Sequence, residues 1–440
     1  MGFTRKYLSA DGLISIIRHG LRRENFKPIK RSPYSWEDCI MSSLAIFGFK
    51  FPSLLQFEKN KALDPCIRRN LRTLYKVEKA PSDTCLRERL DEISPRQLRR
   101  PFKQIFSYLQ RGKVLEKFRY LDGYHTISLD GTGQYSSNTV HCANCCEKHH
   151  RTGETTYYHH MLGAVLVHPD RKEVIPLAPE PIVKGDGTTK NDCERNASKR
   201  LLSDLRREHP HLKVLIVEDG LASNYPHLSL LDSLKMQYVI GVKPGDHRYL
   251  FDWIKDLPGE THTQVTDDGR SHHFQYYTDV PLNDANHDYR VNVLEYTETQ
   301  KNGKTQKFSW VTQLKISPEN VYRIMRVGRS RWKIENETFN TLKNQGYNFE
   351  HNYGHGYKNL CSVMTMLMML TFLIDQVQQI CCKVYQNVRK RLGSLSALFE
   401  RVRSFITIST WVSWHDLYKF IGVPEERPPP GEKGGLAFKG

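Results

Sequence analysis

The sequence predicts an α/β domain with a β-rich insertion, flanked by helical regions. Two short apolar runs, Thr126-Ile-Ser-Leu-Asp130-Gly and Val214-Leu-Ile-Val-Glu-Asp219-Gly, each end in an acid and a glycine and read as strands. Helical patterns at Ala197 to Glu208 and His227 to Leu234 separate strand-like segments, which implies parallel pairing. From about 245 to 315 that rhythm lapses into alternating strand patterns with Asp267-Asp-Gly and Lys301-Asn-Gly turn signals.

Residues 1–120 show apolar residues at helical spacing, as in Ile40-Met-Ser-Ser-Leu-Ala-Ile-Phe, and no strand pattern. Basic residues recur on these helices: Arg18, Arg22, Arg23, Lys27, Lys30 and Arg31, later Arg68, Arg69 and Arg72, then Arg96, Arg99 and Arg100. The expectation is a helical DNA-binding and assembly domain, although each residue singly is also explained by solvation of an outer helix face. The whole chain of 440 residues carries a formal charge of +17. Such an excess speeds encounter with phosphate backbones and gives salt-sensitive affinity, so a polyanionic partner is expected.

The ten cysteines mostly lack regular spacing, and Met1-Gly-Phe-Thr-Arg-Lys has no apolar segment behind it. Reduced thiols in a cytoplasmic compartment are the expectation. Leu360 to Ile374 is uncharged and rich in Leu, Met and Phe. It is shorter than a membrane span and ends at Asp375, so it reads as a buried core helix, with no membrane partner. The α/β domain is expected over 121–360, a C-terminal helical region over 361–423, and a disordered Pro- and Gly-rich tail over 424–440.

Within the α/β domain, Thr126 to Leu129, Thr155 to Val167 and Val174 to Leu177 are the early strands, and Tyr238 to Val242 a later one. Ligand sites in such sheets lie at the carboxyl ends of the strands, where Asp130 and Asp219 are expected. A third acid, Glu335, lies in Arg331-Trp-Lys-Ile-Glu-Asn-Glu-Thr-Phe-Asn-Thr-Leu-Lys-Asn-Gln-Gly-Tyr347, which reads as one helix stopped at Gly346. Mg²⁺ and Mn²⁺ prefer carboxylate oxygen and keep several waters, so three acids suffice to hold two ions that activate a nucleophile and stabilise a leaving oxygen.

The order Leu129-Asp130-Gly-Thr, Glu218-Asp219-Gly, a β-rich insertion and Arg331-Trp-Lys-Ile-Glu335-Asn resembles insertion-sequence DDE transposases with a ribonuclease H-like catalytic domain. The resemblance covers about residues 121 to 360. It implies a mixed sheet flanked by helices, with Asp130, Asp219 and Glu335 as catalytic residues holding two Mg²⁺ or Mn²⁺ ions. It also implies cleavage at element ends, joining of the 3′ hydroxyl to target DNA, and a homodimer or higher oligomer on DNA. A metal-dependent nuclease, or a DNA-binding protein with a decayed site, is the alternative. This branch carries a tyrosine, arginine, glutamate and lysine signature around the last acid. Arg331 takes the arginine position; the tyrosine position holds Gly328 and the lysine position Leu342. Lys343 comes one residue later, about 80° round an ideal helix from Glu335.

Arg331, Trp332, Lys333 and Lys343 are the expected DNA-contacting residues around that acid. Trp332 also reads as a core residue of an amphipathic helix, or as a platform for an unstacked base. Tyr347, His351, Tyr353 and His355 form a polar, aromatic run suited to a DNA path. Separately, His141-Cys142-Ala-Asn-Cys145-Cys146-Glu-Lys-His149 precedes a strand carrying His159. Cys142, Cys145, His149 and His159 have workable spacing for a structural Zn²⁺.

Overall fold

A computed structural model describes residues 7–27, 33–187 and 189–423; Lys30, Arg31 and the tail from Pro424 lie outside them. The chain divides into two compact units, one of residues 113–133 and 144–339 and one of residues 1–112, 134–143 and 340–440. The first is built on a mixed sheet. Its strands are β1 Arg119–Tyr120, β2 Tyr124–Ser137, β3 Cys146–His149, β4 Thr155–Leu166, β5 Ile175–Pro176, β6 Glu180–Ile182, β7 Val214–Glu218, β8 Gln237–Gly241, β9 Glu260–Val265, β10 Ser271–Pro281, β11 Arg290–Thr299 and β12 Thr305–Thr312. Among the described residues its α-helices are α1 Lys190–Glu208, α2 Tyr225–Ser233, α3 Arg248–Lys255 and α4 Val321–Arg329.

The strand order is β3-β4-β2-β7-β8-β12-β11-β10-β9. β7 pairs in parallel with both β2 and β8, and every residue of Val214–Glu218 is buried, as expected of a strand covered on both faces. The insertion is not a separate layer: β12 pairs antiparallel with β8, and β11, β10 and β9 follow as an antiparallel meander that continues the sheet. A ladder of rings secures it. Phe274 lies 5.1 Å from Tyr296, and Phe308 lies 5.8 Å from Trp310. Helix α4 packs Val321, Ile324 and Val327 into the same core.

Two expected strands differ in extent. β2 does not stop at Leu129 but runs on through Asp130, and the third early strand shrinks to Ile175–Pro176. Strand backbone continues across Asp130-Gly-Thr, so the acid is carried within a strand.

The other unit is helical, and it unites regions expected to be separate. Helices Ala10–Leu21, Trp36–Gly48, Pro65–Tyr75 and Asp83–Asp91 share it with Leu360–Cys381, Lys383–Leu392, Leu395–Ile408 and Trp414–Ile421. The expected boundaries at 120 and 360 move to 112 and 339. The cause is Leu360–Cys381, which is apolar all round and cannot be buried by C-terminal helices alone. It packs against Trp36–Gly48, and 94% of its most apolar window is buried inside the protein. Length and composition would let it cross a membrane; its packing is that of a core helix.

Its start is held by Asp91, whose carboxylate accepts the backbone N–H of Tyr357 at 2.9 Å, Lys358 at 3.0 Å, Asn359 at 2.9 Å and Leu360 at 2.9 Å. Burial pushes the Asp91 carboxyl up, but these donors together bring it below the ordinary value. Asp375 does not end the helix. Its charge is buried inside it, paired with Lys50 and accepting the Tyr347 hydroxyl at 2.5 Å. Serine caps mark other starts: Ser35, Ser53, Ser394 and Ser413 each accept the backbone N–H three residues on.

Candidate functional site

Strand register brings the two aspartates together. The last registered pair between β2 and β7 is Ser128 with Val217, and Asp130 and Asp219 each lie two residues beyond it. Parallel neighbours run about 4.8 Å apart, so both acids reach the same edge of the sheet. Asp219 leaves its strand in an extended conformation and accepts the Leu221 N–H at 3.0 Å, opening a short turn. The Gly131 N–H donates to Asp130 at 2.8 Å.

Glu335 arrives from the chain after α4. The Ser128 hydroxyl donates to the Arg331 carbonyl at 3.0 Å, fastening that segment to β2. Arg331 then points its guanidinium between two acids, 2.7 Å from Glu335 and 3.6 Å from Asp130. The Asp130 carboxyl is pushed up to about 7, first by burial; Arg331 pulls it down, while Glu335 and Asp219 push it up further. A carboxyl this reluctant to ionise beside two other acids marks a place prepared for added positive charge.

A fourth acid belongs here that sequence reasoning missed. Glu194 lies on α1, and a Cβ at Gly131 would stand 3.0 Å from its carboxylate oxygen, so Gly131 leaves the room it occupies. Burial raises its carboxyl, and Asp219 raises it further. The available signal was position: the first turns of a crossover helix face the carboxyl ends of the parallel strands. Glu218 is buried and bonded at 2.6 Å to His227.

The expected single helix through Glu335 is interrupted. Residues Ile334–Phe339 form a π-helix, followed by α-helix at Asn340–Asn344. A π-turn takes one residue more than an α-turn, as an insertion would. The Lys343 amine pairs with Glu350 at 2.8 Å. At Gly328 a Cβ would come within 2.6 Å of the Trp310 indole, so the glycine leaves room for that ring from β12.

Beside the acids opens a cleft of about 1530 Å³, with Lys243, Arg248, Lys307, Arg329 and Trp332 on its walls. Arg329 lies over the Phe308 ring at 4.3 Å and pairs with Glu298 at 3.1 Å. Trp332 is not a core residue: it is 41% exposed and faces the cleft. Lys333 departs from expectation in the other direction. It is buried, donates to the Arg171 carbonyl, and burial lowers its pKa, so it is not presented to a DNA backbone. Tyr347 and Tyr353 are also buried, with the Tyr353 hydroxyl donating to the Phe51 carbonyl at 3.2 Å, and they line no path.

The cysteine- and histidine-rich segment is arranged differently from its spacing. Cys146 pairs with Tyr158 across β3 and β4, which sets Cys145 beside His159, and His159 Nε2 is 3.3 Å from the Cys145 sulfur. His149 pairs instead with Thr155, about 13 Å along the strand from His159, and bonds the Thr155 hydroxyl at 3.1 Å. In the helical unit Cys142 hydrogen-bonds His355, the first cause of that imidazole's raised pKa. Register therefore parts His149 from the Cys145–His159 pair, and the expected ligand set containing His149 is not brought together. Comparison with protein-family models and with curated proteins finds no match to this chain.

Proposed function

We propose that this chain is a DDE-type DNA transposase that cleaves the ends of its own element and joins them to target DNA. The observation that carries the reading is the convergence of Asp130 and Asp219 from registered parallel strands with Glu335 from the following helical segment, bridged by Arg331. The acids would hold two Mg²⁺ or Mn²⁺ ions, whose chemistry is to activate a water or hydroxyl and to stabilise the leaving oxygen. In the first step water oxygen bonds to phosphorus and the bond to the 3′ oxygen breaks, freeing a 3′ hydroxyl. In the second that hydroxyl bonds to a target phosphorus in line, the target's own bond from phosphorus to its 3′ oxygen breaks, and the proton lost by the attacking hydroxyl leaves on the freed target 3′ hydroxyl. The basic cleft supplies phosphate contacts through Lys243, Lys307 and Arg329, and Trp332 a face on which a base can stack. DNA as substrate assigns the work to the cytoplasm of a bacterial-type cell, as a homodimer or higher oligomer holding two ends.

The reading is tested with a plasmid bearing the DNA that flanks the coding region. Mg²⁺-dependent nicking at its ends, followed by joined products, supports it. Nicking without joining favours a nuclease, and no nicking with either Mg²⁺ or Mn²⁺ favours a decayed, DNA-binding descendant.

Metal affinity should carry a proton signature. Asp130 titrates near 7 when folded, against about 3.9 unfolded. Between those values the folded chain holds a proton that the unfolded chain lacks. This group therefore stabilises the fold at low pH, and the contribution is lost as pH rises through 7. Added Mg²⁺ should raise Tm more at pH 8 than at pH 5.5, and Asp130→Asn should erase the difference; equal shifts at both pH values in wild type would place the ions elsewhere.

The helical unit offers a second contact. His19, Arg23, Arg100, Lys103 and Arg111 surround a concave surface of about 460 Å³. Reversing two charges there, Lys103→Glu with Arg111→Glu, should weaken DNA binding and lower the slope of log K against log salt by about 2. An unchanged slope in a fluorescence-anisotropy titration would remove this face from the interface.

A further inference from the structure

We propose that Glu298, on the middle strand of the β10–β11–β12 meander, is a positioning residue that holds Arg329 ready to grip a DNA phosphate in the cleft; the inference rests on DNA being the substrate. Strand alternation puts the acid in place. Tyr296 and Glu298 are two residues apart on β11 and share the face that carries the aromatic ladder, with Phe274 and His272 opposite them on β10 and Phe308 and Gln306 on β12. Glu298 is only 5% exposed there, and a buried carboxylate must be paired to stay charged.

Three donors pair it. The Tyr296 hydroxyl donates to Oε2 at 3.1 Å, Arg329 donates to the same oxygen at 3.1 Å, and Arg270 to Oε1 at 3.4 Å. Having given its one proton to Glu298, the Tyr296 oxygen accepts from His272 Nδ1 at 2.7 Å, which fixes the direction of the hydroxyl.

Arg329 is thereby fixed without being used up. It spends one terminal nitrogen on Glu298 and lies over the Phe308 ring at 4.3 Å. A guanidinium has five N–H donors, so others remain for a phosphate in the cleft whose wall Arg329 helps to form. It stands two residues before the Arg331 that bridges Asp130 and Glu335. Stability alone gives little reason for the buried acid, since an ion pair inside a protein contributes little beyond apolar side chains of similar volume. Binding does give one: an arginine ordered beforehand loses less rotamer freedom when it meets its ligand.

A double-substitution cycle on DNA affinity tests this, read by fluorescence anisotropy without divalent metal on a labelled duplex from the DNA flanking the coding region. Arg329→Ala is expected to weaken binding about tenfold and to lower the slope of log K against log salt by about 1. Glu298→Ala should weaken it about three- to tenfold, the cost of ordering a freed arginine, and should add nothing in the Arg329→Ala background. Glu298→Asp keeps the buried charge but falls one methylene short of Arg329. It should weaken binding as Glu298→Ala does, which decides the matter even where the alanine variant fails to fold. Wild-type affinity in Glu298→Asp or in Arg329→Ala would overturn the positioning role and leave the transposase reading standing. So would a loss at Glu298 that adds in full to the loss at Arg329, the mark of a residue needed only for folding. Wild type that binds no DNA would overturn both.

Discussion

Asp130→Asn is expected to lower Mg²⁺-dependent strand cleavage by at least about a thousandfold while leaving the protein folded. Asparagine keeps the shape of the side chain and the Gly131 N–H bond, but offers a metal one neutral oxygen in place of a shared negative charge. Removing the charge also removes the cost of burying it, the main reason the Asp130 carboxyl is pushed up to about 7, together with repulsion from Glu335 and Asp219. Without metal, then, Tm above pH 7 should stay level or rise, whereas a residue needed only for folding would lower it. Asp219→Asn and Glu335→Gln should lose cleavage equally. The readout is nicking of supercoiled plasmid together with thermal melts of the same samples. Wild-type nicking rates in all three variants would sink the assignment.

In the helical unit the largest effect is expected at Asp375. Alanine there should destabilise the protein by about 3–5 kcal/mol, because it strands the Lys50 ammonium in the interior. Lys50 is fully enclosed, lies 4.1 Å from the Phe399 ring centre and 4.8 Å from that of Tyr347, and is already lowered in pKa by burial, with Asp375 opposing the shift. Removing the acid takes away the opposing charge and the acceptor of the Tyr347 hydroxyl together. The double substitution Lys50→Met with Asp375→Leu should recover most of the loss, since a buried ion pair contributes little beyond an apolar pair of similar volume. Urea unfolding measures both. A loss below about 1 kcal/mol in Asp375→Ala would mean that water reaches the pair in solution.

Much of the sheet unit was legible because its signals are local. Val214 to Val217 announces a buried strand by composition, and the acid after it follows from where such strands end. Asp219 could be located from sequence for that reason, and Asp130 nearly so, its strand merely running further than the apolar run. Arg331 and Glu335 are four residues apart and share a helical face, and the ion pair between them follows from that spacing.

What the sequence by itself determined is therefore whatever depends on neighbours in the chain: the parallel strands, the serine caps, the apolar core helix, and three acids in the kinds of element that can bring them together. Tertiary structure decided what depends on partners far along the chain. It extended β8 into the meander through β12, added Glu194 to the acids from a crossover helix, and parted His149 from Cys145, because strand register, not spacing, sets which histidine meets that thiol. It also placed a π-turn at Glu335, where the sequence reads as one regular helix. Periodicity assumes a regular helix, and the extra residue of a π-turn is accommodated only by the packing around it.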